Sequence, residues 1–301
     1  MQKINIQNNF DILRLLLAIL VFFAHWNTLT RYDFSNIIFH LSEYSVHMFF
    51  IVSGFLIFWS FDADQNKKHF YIKRFFRIFP IFAFLVILQT LFFISFSDGS
   101  INQLLKYFFV NITFLNFLSP SVGTTFSDLY VNAINGSLWT LNMEVVFYIL
   151  VPLFFLLHKK WKIYPLFIVG ILLYLLFDKF KNKNIYFLAI GSLVLIALFN
   201  DSSYFKYMIY PFCIGFIMIY LVYFFKYIKI NFDFSYSFYI LHFPVIQLFL
   251  YFGVNPDNPL ISFIVLFSII LVLSYISEKY IEKRFIQIGK NIIKKDKNAS
   301  N

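Results

Sequence analysis

The chain has 301 residues, of which 60% are hydrophobic and 13% are charged. Soluble domains have about 45–50% apolar and about 25% charged residues, so this composition excludes an ordinary soluble globule and indicates an integral membrane protein. The net charge of +10 does not indicate nucleic-acid binding. The cations stand in loops beside apolar runs and in the C-terminal tail, as in the cytoplasmic loops of membrane proteins.

The N-terminal stretch has no A-x-A-like cleavage site, and Arg14 stands inside the first apolar run. We therefore expect this run to remain as a membrane span, because neither feature fits a removable signal peptide. Cys213 is the single cysteine, which excludes a disulfide framework and a cysteine-rich metal site. No metal is predicted.

The sequence predicts an all-α membrane protein with about ten transmembrane helices, because ten apolar segments approach or reach the ~20 residues that cross a bilayer. The segments are Phe10 to Leu29, Val46 to Phe61, Ile78 to Phe96, Leu104 to Leu118, Leu138 to Leu157, Tyr164 to Phe177, Ile185 to Phe199, Tyr207 to Phe225, Ser235 to Phe252 and Leu260 to Ile276. The fourth is short and contains Lys106, Asn111 and Asn116, so it could also lie in the interface or re-enter without crossing.

The distribution of Lys and Arg favours ten spans with both termini cytoplasmic. In that arrangement 18 loop and tail cations lie inside and five lie outside, whereas omitting the fourth span gives 10 inside and 13 outside. The sequence HKKWK, at residues 158–162, is the one clear misfit because it falls outside.

One membrane domain, residues 1–277, accounts for most of the chain. Residues 278–301 form a basic tail that is predicted to be cytoplasmic, to begin as an amphipathic surface helix and to end in disorder. The oligomeric state is left open.

Arg14 and His25 are eleven positions apart in the first span, which corresponds to roughly 20° of net rotation and ~16 Å of rise on a helix. They therefore lie on one face, with Arg14 near the cytoplasmic end. This pair could place an anion-binding group at the mouth of a cavity and a titratable base within it. Alternatively, Arg14 snorkels to lipid phosphates and His25 bonds a backbone carbonyl.

Arg74 and Arg77 are spaced i and i+3 in the stretch from Phe70 to Pro80, hence on one face of a short helix at the cytoplasmic surface. Both could contact a phosphate, since the guanidinium group suits bidentate phosphate binding. A basic segment before a span is also typical of contact with lipid headgroups.

Glu144 lies one or two turns into the fifth span, flanked by Trp139 and Tyr148. His25 or an arginine could be its partner in an acid/base pair; alternatively it is a helix-end glutamate that faces water. His242 lies near midspan and could be functional or could fill the backbone break before Pro244.

Ser53 and Gly54 interrupt the second span, where small residues allow close helix packing or expose backbone to a ligand. His47 and Lys106 lie near span ends, which favours interfacial snorkelling.

Five motifs follow one another along the chain. An arginine is followed after ten residues by a histidine, the second span contains F-F-x-x-S-G-F, and R-x-x-R-I-x-P opens the third span. W-[ST]-L-x-x-E-x-x-F-Y-x-x-x-P and S-Y-x-x-Y-x-x-H-x-P come later. The residues that match include Asp11, Arg14, His25, Ser53, Gly54, Phe55, Arg74, Arg77, Trp139, Glu144, Tyr148, Tyr239 and His242.

In this order and spacing the chain resembles the acyltransferase-3 family of membrane O-acyltransferases, from Asp11 to the basic tail. The resemblance implies catalytic roles for His25 and Glu144. It implies donor binding by Arg14, Arg74 and Arg77. The remaining motif positions are expected to be substrate or structural residues: Asp11, Ser53, Gly54, Phe55, Trp139, Tyr148 and His242.

The resemblance implies a bacterial inner-membrane enzyme that moves an acyl group, most simply acetyl from cytoplasmic acetyl-CoA, to a hydroxyl. The acceptor would be a cell-surface polysaccharide, a lipopolysaccharide or a lipid-linked glycan, and membrane lipids would be partners. The imidazole could act as general base or be acylated transiently. A proton-coupled transporter or flippase, and a noncatalytic membrane subunit, stay open as other classes.

Overall fold

The computed structural model describes residues 7–32, 36–157, 165–177, 185–199, 202, 204–230 and 232–299. The described residues form helices and the turns and loops that connect them, with no β-strand among them. The described α-helices are α1 (Phe10–Thr30), α2 (Asn36–Ala63), α3 (Lys67–Phe96), α4 (Ile101–Ile112), α5 (Trp139–Leu157), α6 (Pro165–Leu175), α7 (Ile185–Phe199), α8 (Tyr210–Ile219), α9 (Ser235–Tyr251), α10 (Pro259–Ser277) and α11 (Lys283–Ala299).

Several of these helices are apolar enough to lie in a bilayer. Within the described residues, five stretches are long enough to cross one: Phe10–Thr30, Ser42–Ala63, Lys67–Phe96, Gly136–Leu153 and Pro259–Ala299. Ile185–Phe199 and Tyr210–Phe224 are apolar but shorter. The all-helical, multi-pass character predicted from the sequence is therefore confirmed, whereas the count of about ten spans and the cytoplasmic position of both termini stay predictions.

Most predicted segments coincide with helices. Helix α1 is one residue longer than the first predicted span, at its C-terminal end, and α10 is one residue longer than the last predicted span at each end. The seventh predicted span has the same bounds as α7. The eighth segment is helical through π-helical turns on both sides of α8, Phe205–Ile209 and Tyr220–Phe224. Tyr164, the first residue of the sixth segment, and HKKWK lie outside the described residues.

The second and third helices begin about ten residues earlier than predicted, at Asn36 and Lys67. The basic element from Phe70 to Pro80 is therefore not a separate short helix. It forms the first turns of the 30-residue helix α3, with Pro80 inside it. The Tyr236 hydroxyl donates to the Ile78 carbonyl at 3.2 Å, so a neighbouring helix supports the backbone beside the proline.

The fourth predicted span is not a continuous helix. Instead, α4 has 12 residues, about 18 Å of helix, which is too short to cross ~30 Å of hydrocarbon. The chain leaves the helix at Phe114, which has a φ of 63°. Asn111 then holds the turn, because its side-chain amide donates to the Tyr107 and Ser119 carbonyls at 2.8 and 2.9 Å.

After α4 the chain turns back to the end from which that helix started. Phe114 stacks on Phe82, halfway along α3, with ring centroids 4.2 Å apart. Further along, Thr124 bonds Asp98, which lies just before α4. This course favours the re-entrant alternative that the sequence had left open for the fourth segment, whereas the assignment of this segment as a span stays a prediction.

The described chain divides into two compact units. Unit 1 contains Met1–Leu17, His40–Phe70 and Phe147–Phe232, and unit 2 contains Ala18–Phe39, Tyr71–Val146 and Asp233–Asn301. In unit 1, Gly170 of α6 lies against the backbone of α2 near Gly54. Phe55 is fully buried there in an apolar cluster. In this unit, the small pair in the second span serves helix packing at Gly54.

The long helices of unit 2 run between two ends of the unit, and each end is marked by contacts between side chains. At one end Arg31, just after α1, lies over the Tyr130 ring at 5.2 Å, and Tyr251 at the end of α9 packs against Phe126. At the other end the start of α3 meets the start of α9, where Arg77 pairs with Asp233. The candidate site lies between these ends.

The C-terminal tail is helical over its described residues, from Glu278 to Ala299. A π-helical turn, Glu278–Glu282, connects α10 to α11, and α11 is helical to Ala299. One side of α11 packs on α3, because Gly289 lies against Phe76. The predicted amphipathic helix is thus present, whereas the polar end is helical through the last described residue.

Candidate active site

His25 lies on a continuous helix, five residues before the end of α1. Arg14 is on the same helix, eleven residues before His25. His25 is half-buried, and it belongs to unit 2, whereas Arg14 belongs to unit 1. Most of the predicted site lies with His25 in unit 2, namely Arg74, Arg77, Trp139, Glu144 and His242.

The hydrogen-bonding partner of His25 is His242. Nδ1 of His25 lies 2.7 Å from Nε2 of His242. The sequence had proposed His25 or an arginine as the partner of Glu144 in an acid/base pair, and His242 as a motif residue. The structure gives the contact with His25 to a second imidazole, 217 positions away along the chain.

Pro244 determines how the segment before α5 docks on α9. Proline has no N–H, so the carbonyl of Ile240, four residues earlier, loses its helical partner. The side-chain amide of Asn135 donates to this carbonyl at 3.0 Å. Asn135 in turn accepts from the Ser137 hydroxyl at 2.7 Å. The break in α9 thus anchors the chain that leads into α5.

Aromatic side chains enclose the two histidines. Phe243 presents its ring edge-on to His25 with centroids 5.1 Å apart, and Phe22 meets His242 at 6.3 Å. Gly136 leaves space for Phe243, because a Cβ there would lie 2.7 Å from the ring. Water has little access to this side of the pair, which strengthens electrostatic interactions within it.

Glu144 lies on α5 one turn after Thr140, on the same face. The Thr140 and Tyr239 hydroxyls are 2.6 Å apart, and Glu144 is near enough to interact electrostatically with the Tyr239 hydroxyl. Tyr239, one turn before His242, therefore connects α5 to the histidine pair. The sequence had placed Tyr239 only in a motif. Trp139 is exposed, and Tyr148 is buried in unit 1.

The two arginines of α3 lie at the other end of unit 2. Arg77 donates to the Asp233 carboxylate at 3.0 Å, and the Ser235 hydroxyl donates to the same carboxylate at 2.9 Å. The backbone N–H of Asp233 donates to Glu278 at 3.2 Å. Arg74, one turn earlier, is half-buried. Asp233 as the partner of Arg77 had no signal in the sequence, because acids of other loops were equally available.

Arg14 donates to Asp11, three residues earlier, at 2.6 Å. This short ion pair joins two of the predicted motif residues within unit 1 and holds the guanidinium group close to the start of α1. The binding of a donor by Arg14 stays a prediction. Among the described residues, no three His, Cys, Asp or Glu side chains are grouped so that they could hold a metal ion.

Comparisons with known proteins bear on the same residues. The model of the acyltransferase-3 family, described as an acyltransferase domain, matches residues 7–185. Nodulation protein 10 of Rhizobium leguminosarum bv. viciae is 34% identical over 172 residues, which is 52% of this chain and 46% of that protein. An uncharacterized protein of Haemophilus influenzae is 33% identical over 153 residues, 46% of this chain and 61% of that protein.

A third relative carries an enzyme name. The peptidoglycan O-acetyltransferase OatA of Listeria monocytogenes is 26% identical over 127 residues, 38% of this chain and 20% of OatA. The chain thus spans about half the length of the two more similar relatives and a fifth of OatA. No solved structure matches it. Because the family model covers more than half of the chain, from before α1 to the start of α7, the chain belongs to the acyltransferase-3 family.

Proposed function

We propose that the protein is a membrane O-acyltransferase that moves an acetyl group from cytoplasmic acetyl-CoA to a hydroxyl of a cell-surface or lipid-linked glycan. The single observation that carries the proposal is the half-buried imidazole of His25, held by His242 within apolar helices of an acyltransferase-family chain. The similarity to OatA, a peptidoglycan O-acetyltransferase, supports O-acetylation as the reaction. The family match does not favour the transporter or flippase alternative.

In this proposal Arg74 and Arg77 bind the acetyl-CoA donor. Both lie on the first turns of α3, and guanidinium groups suit the phosphates of coenzyme A. Asp233 neutralises part of the Arg77 charge and fixes its position. A phosphate would therefore bind at an arginine already oriented by Asp233. Both chain termini lie in the cytoplasm in this arrangement, and the protein lies in the inner membrane.

His25 acts as the general base. Its ring nitrogen removes the proton of the acceptor hydroxyl while that oxygen attacks the thioester carbonyl. The carbon–sulfur bond then breaks, and the imidazolium returns the proton to the coenzyme A thiolate. Glu144, beside Tyr239, stabilises the positive charge that develops on the imidazole side. An acetyl-imidazole intermediate would use the same nitrogen as nucleophile.

The test uses the full chain in membranes with radiolabelled acetyl-CoA, and measures label transferred to the host glycan fraction. His25→Gln should abolish transfer, because an amide cannot accept the proton, while His47→Gln is a matched control. His47 is another intramembrane histidine, bonded to Tyr210 at 2.9 Å in unit 1. Wild-type transfer by a correctly inserted His25→Gln protein would refute the proposal.

The donor site is tested separately. Arg74→Gln and Arg77→Gln together should raise the KM for acetyl-CoA by about tenfold or more, because each guanidinium–phosphate contact is a strong charge-assisted bond. Lys68→Gln, at an exposed position in the first turn of α3 and on another face of that helix, is the control. An unchanged KM in the double variant would place the coenzyme elsewhere.

A further inference from the structure

The proton positions of the histidine pair follow from what surrounds His242. Nδ1 of His242 lies 3.3 Å from the carbonyl oxygen of Phe238, one turn earlier on α9. A carbonyl oxygen only accepts hydrogen bonds, so Nδ1 of His242 must carry a hydrogen. In a neutral imidazole one ring nitrogen donates and the other accepts. Nε2 of His242 is therefore the acceptor.

The acceptor nitrogen of His242 faces His25. The N···N distance is 2.7 Å, so one of the two nitrogens must donate, and His25 Nδ1 is the one that can. The rings are within 11° of parallel, with centroids 5.0 Å apart. The centroid separation equals the N···N distance plus the distance from each nitrogen to the centre of its own ring, so the two centroids and the two nitrogens lie on one line. The rings thus lie edge to edge in nearly one plane, which directs the hydrogen along the lone pair.

This arrangement determines which nitrogen of His25 is reactive. With the hydrogen on Nδ1, Nε2 of neutral His25 has a free lone pair. The described residues give Nε2 of His25 no hydrogen-bond partner, and His25 is half-buried whereas His242 is fully buried at 0% exposure. Substrate can therefore approach His25 and not His242.

We propose that His242 is a positioning residue that fixes His25 in the Nδ1-protonated tautomer, so that Nε2 of His25 carries out the proton transfer. The Phe238 carbonyl, His242 and His25 form one chain of hydrogen bonds that orients the reactive nitrogen. When His25 becomes an imidazolium, its Nδ1–H bond to His242 becomes charge-assisted and stabilises the ion. A neutral imidazole thus takes the place that a carboxylate has in a Ser-His-Asp triad.

The inference rests on the proposed role of His25, but its direct test does not depend on activity. The full chain, labelled with ¹⁵N-histidine and reconstituted in lipid vesicles, gives ring-nitrogen chemical shifts that distinguish the two tautomers. The chain has six histidines, and the His25→Gln spectrum identifies the His25 signals. We expect wild-type His25 to be protonated at Nδ1. Protonation at Nε2 would overturn the inference even if His25 proves catalytic.

Variants at position 242 add a kinetic readout. His242→Phe keeps the ring shape but removes the acceptor, so it should lower kcat by roughly a hundredfold or more through the wrong tautomer, with the KM for acetyl-CoA unchanged. His242→Gln offers an amide oxygen near the former Nε2 and should recover most of the lost kcat.

The two variants also separate tautomer control from packing. The ¹⁵N spectrum of His242→Phe should show a mixture of His25 tautomers, and that of His242→Gln the wild-type form. Equal losses of kcat in both variants, with the His25 tautomer unchanged, would reduce His242 to a packing residue. Full activity of His25→Gln would instead refute the proposed function and leave the tautomer result standing.

Discussion

Asp98 connects the turn before α4 to the segment that follows it. One carboxylate oxygen accepts from the backbone N–H of Thr124 and the other from its hydroxyl, both at 2.7 Å. These two bonds, the hydroxyl first, lower the pKa of Asp98 below its usual value. The carboxylate is exposed and lies outside the predicted spans, so it can exchange protons with the solvent.

This shift predicts an acid-dependent loss of stability. A carboxyl whose pKa is lower in the folded state stabilises the fold above its unfolded pKa, about 3.9, and loses that contribution as the pH falls through the folded value. Thermal unfolding in detergent should therefore show a fall in Tm below about pH 4 that Asp98→Asn reduces. Asp128→Asn, which removes another exposed carboxylate of the segment after α4, is the matched control.

The sequence could single out His25 as the candidate catalytic residue but could not identify its hydrogen-bonding partner. His25, His242 and Glu144 stood out because ionisable side chains are rare in apolar spans. Which of them touch depends on how helices far apart along the chain pack together. His25 and His242 are 217 positions apart, and the separation of Arg77 from Asp233 is 156. No periodicity within one helix carries such information.

At the scale of elements, a glycine contact sets the distance between two helices. A Cβ built on Gly170 of α6 would lie 2.2 Å from the Ile51 carbonyl oxygen of α2 and 3.0 Å from the Cα of Gly54. The obstacle is backbone, which cannot move aside as a side chain does. Small residues at such crossings allow the close packing on which helix association in membranes depends.

Gly170→Ala is therefore expected to destabilise unit 1 by about 1–3 kcal/mol, the usual cost of overpacking. Gly191→Ala is the matched control in the same unit, because nothing lies within 4 Å of its Cβ position on α7. Alanine also favours helix over glycine by about 0.5–1 kcal/mol, so the control should be neutral or stabilised. Tm in detergent measures both, and equal Tm values would contradict the close contact.

Helix ends were predictable where composition changes at the same residue. The seventh segment matched α7 because polar stretches bound it on both sides. The early starts of α2 and α3 were missed because these turns contain polar residues, such as His69 and Lys73, that lower the hydropathy of a helix without ending it. The end of α4 depends on Asn111 and Phe114. In the sequence Asn111 marked only a polar position in a doubtful span, and Phe114 was an ordinary position of an apolar run.

At the scale of the whole molecule, the arrangement with ten spans and the structure differ in where they place residues 119–137. Ten spans would place this segment in the cytoplasm, opposite Arg31. It contains no Lys or Arg, so the positive-inside rule gave no information about it. In unit 2 it contacts Asp98 through Thr124 and Arg31 through Tyr130. These contacts place the segment at the same end of unit 2 as the loop before α10.

This course predicts which residues react from outside the cell. In a Cys213→Ser background, Ser127→Cys should be labelled by a membrane-impermeant maleimide in intact cells, as should Asp257→Cys in the loop before α10. Lys229→Cys, which ten spans place with Ser127 in the cytoplasm, should be labelled only after the cells are permeabilised. All three positions are exposed, so accessibility within the protein does not limit the reaction.

The pattern of labelling separates three arrangements. If Ser127→Cys is labelled from outside, as Asp257→Cys is, the segment after α4 returns to the side on which α4 begins. The proposed acceptor would then meet the non-helical chain from Tyr130 to Gly136, which ends beside Phe243. If Ser127→Cys is labelled only after permeabilisation, as Lys229→Cys is, the fourth segment crosses the membrane. If Asp257→Cys and Lys229→Cys both react from outside, the cytoplasmic position of the C-terminal helices fails together with the proposed donor site.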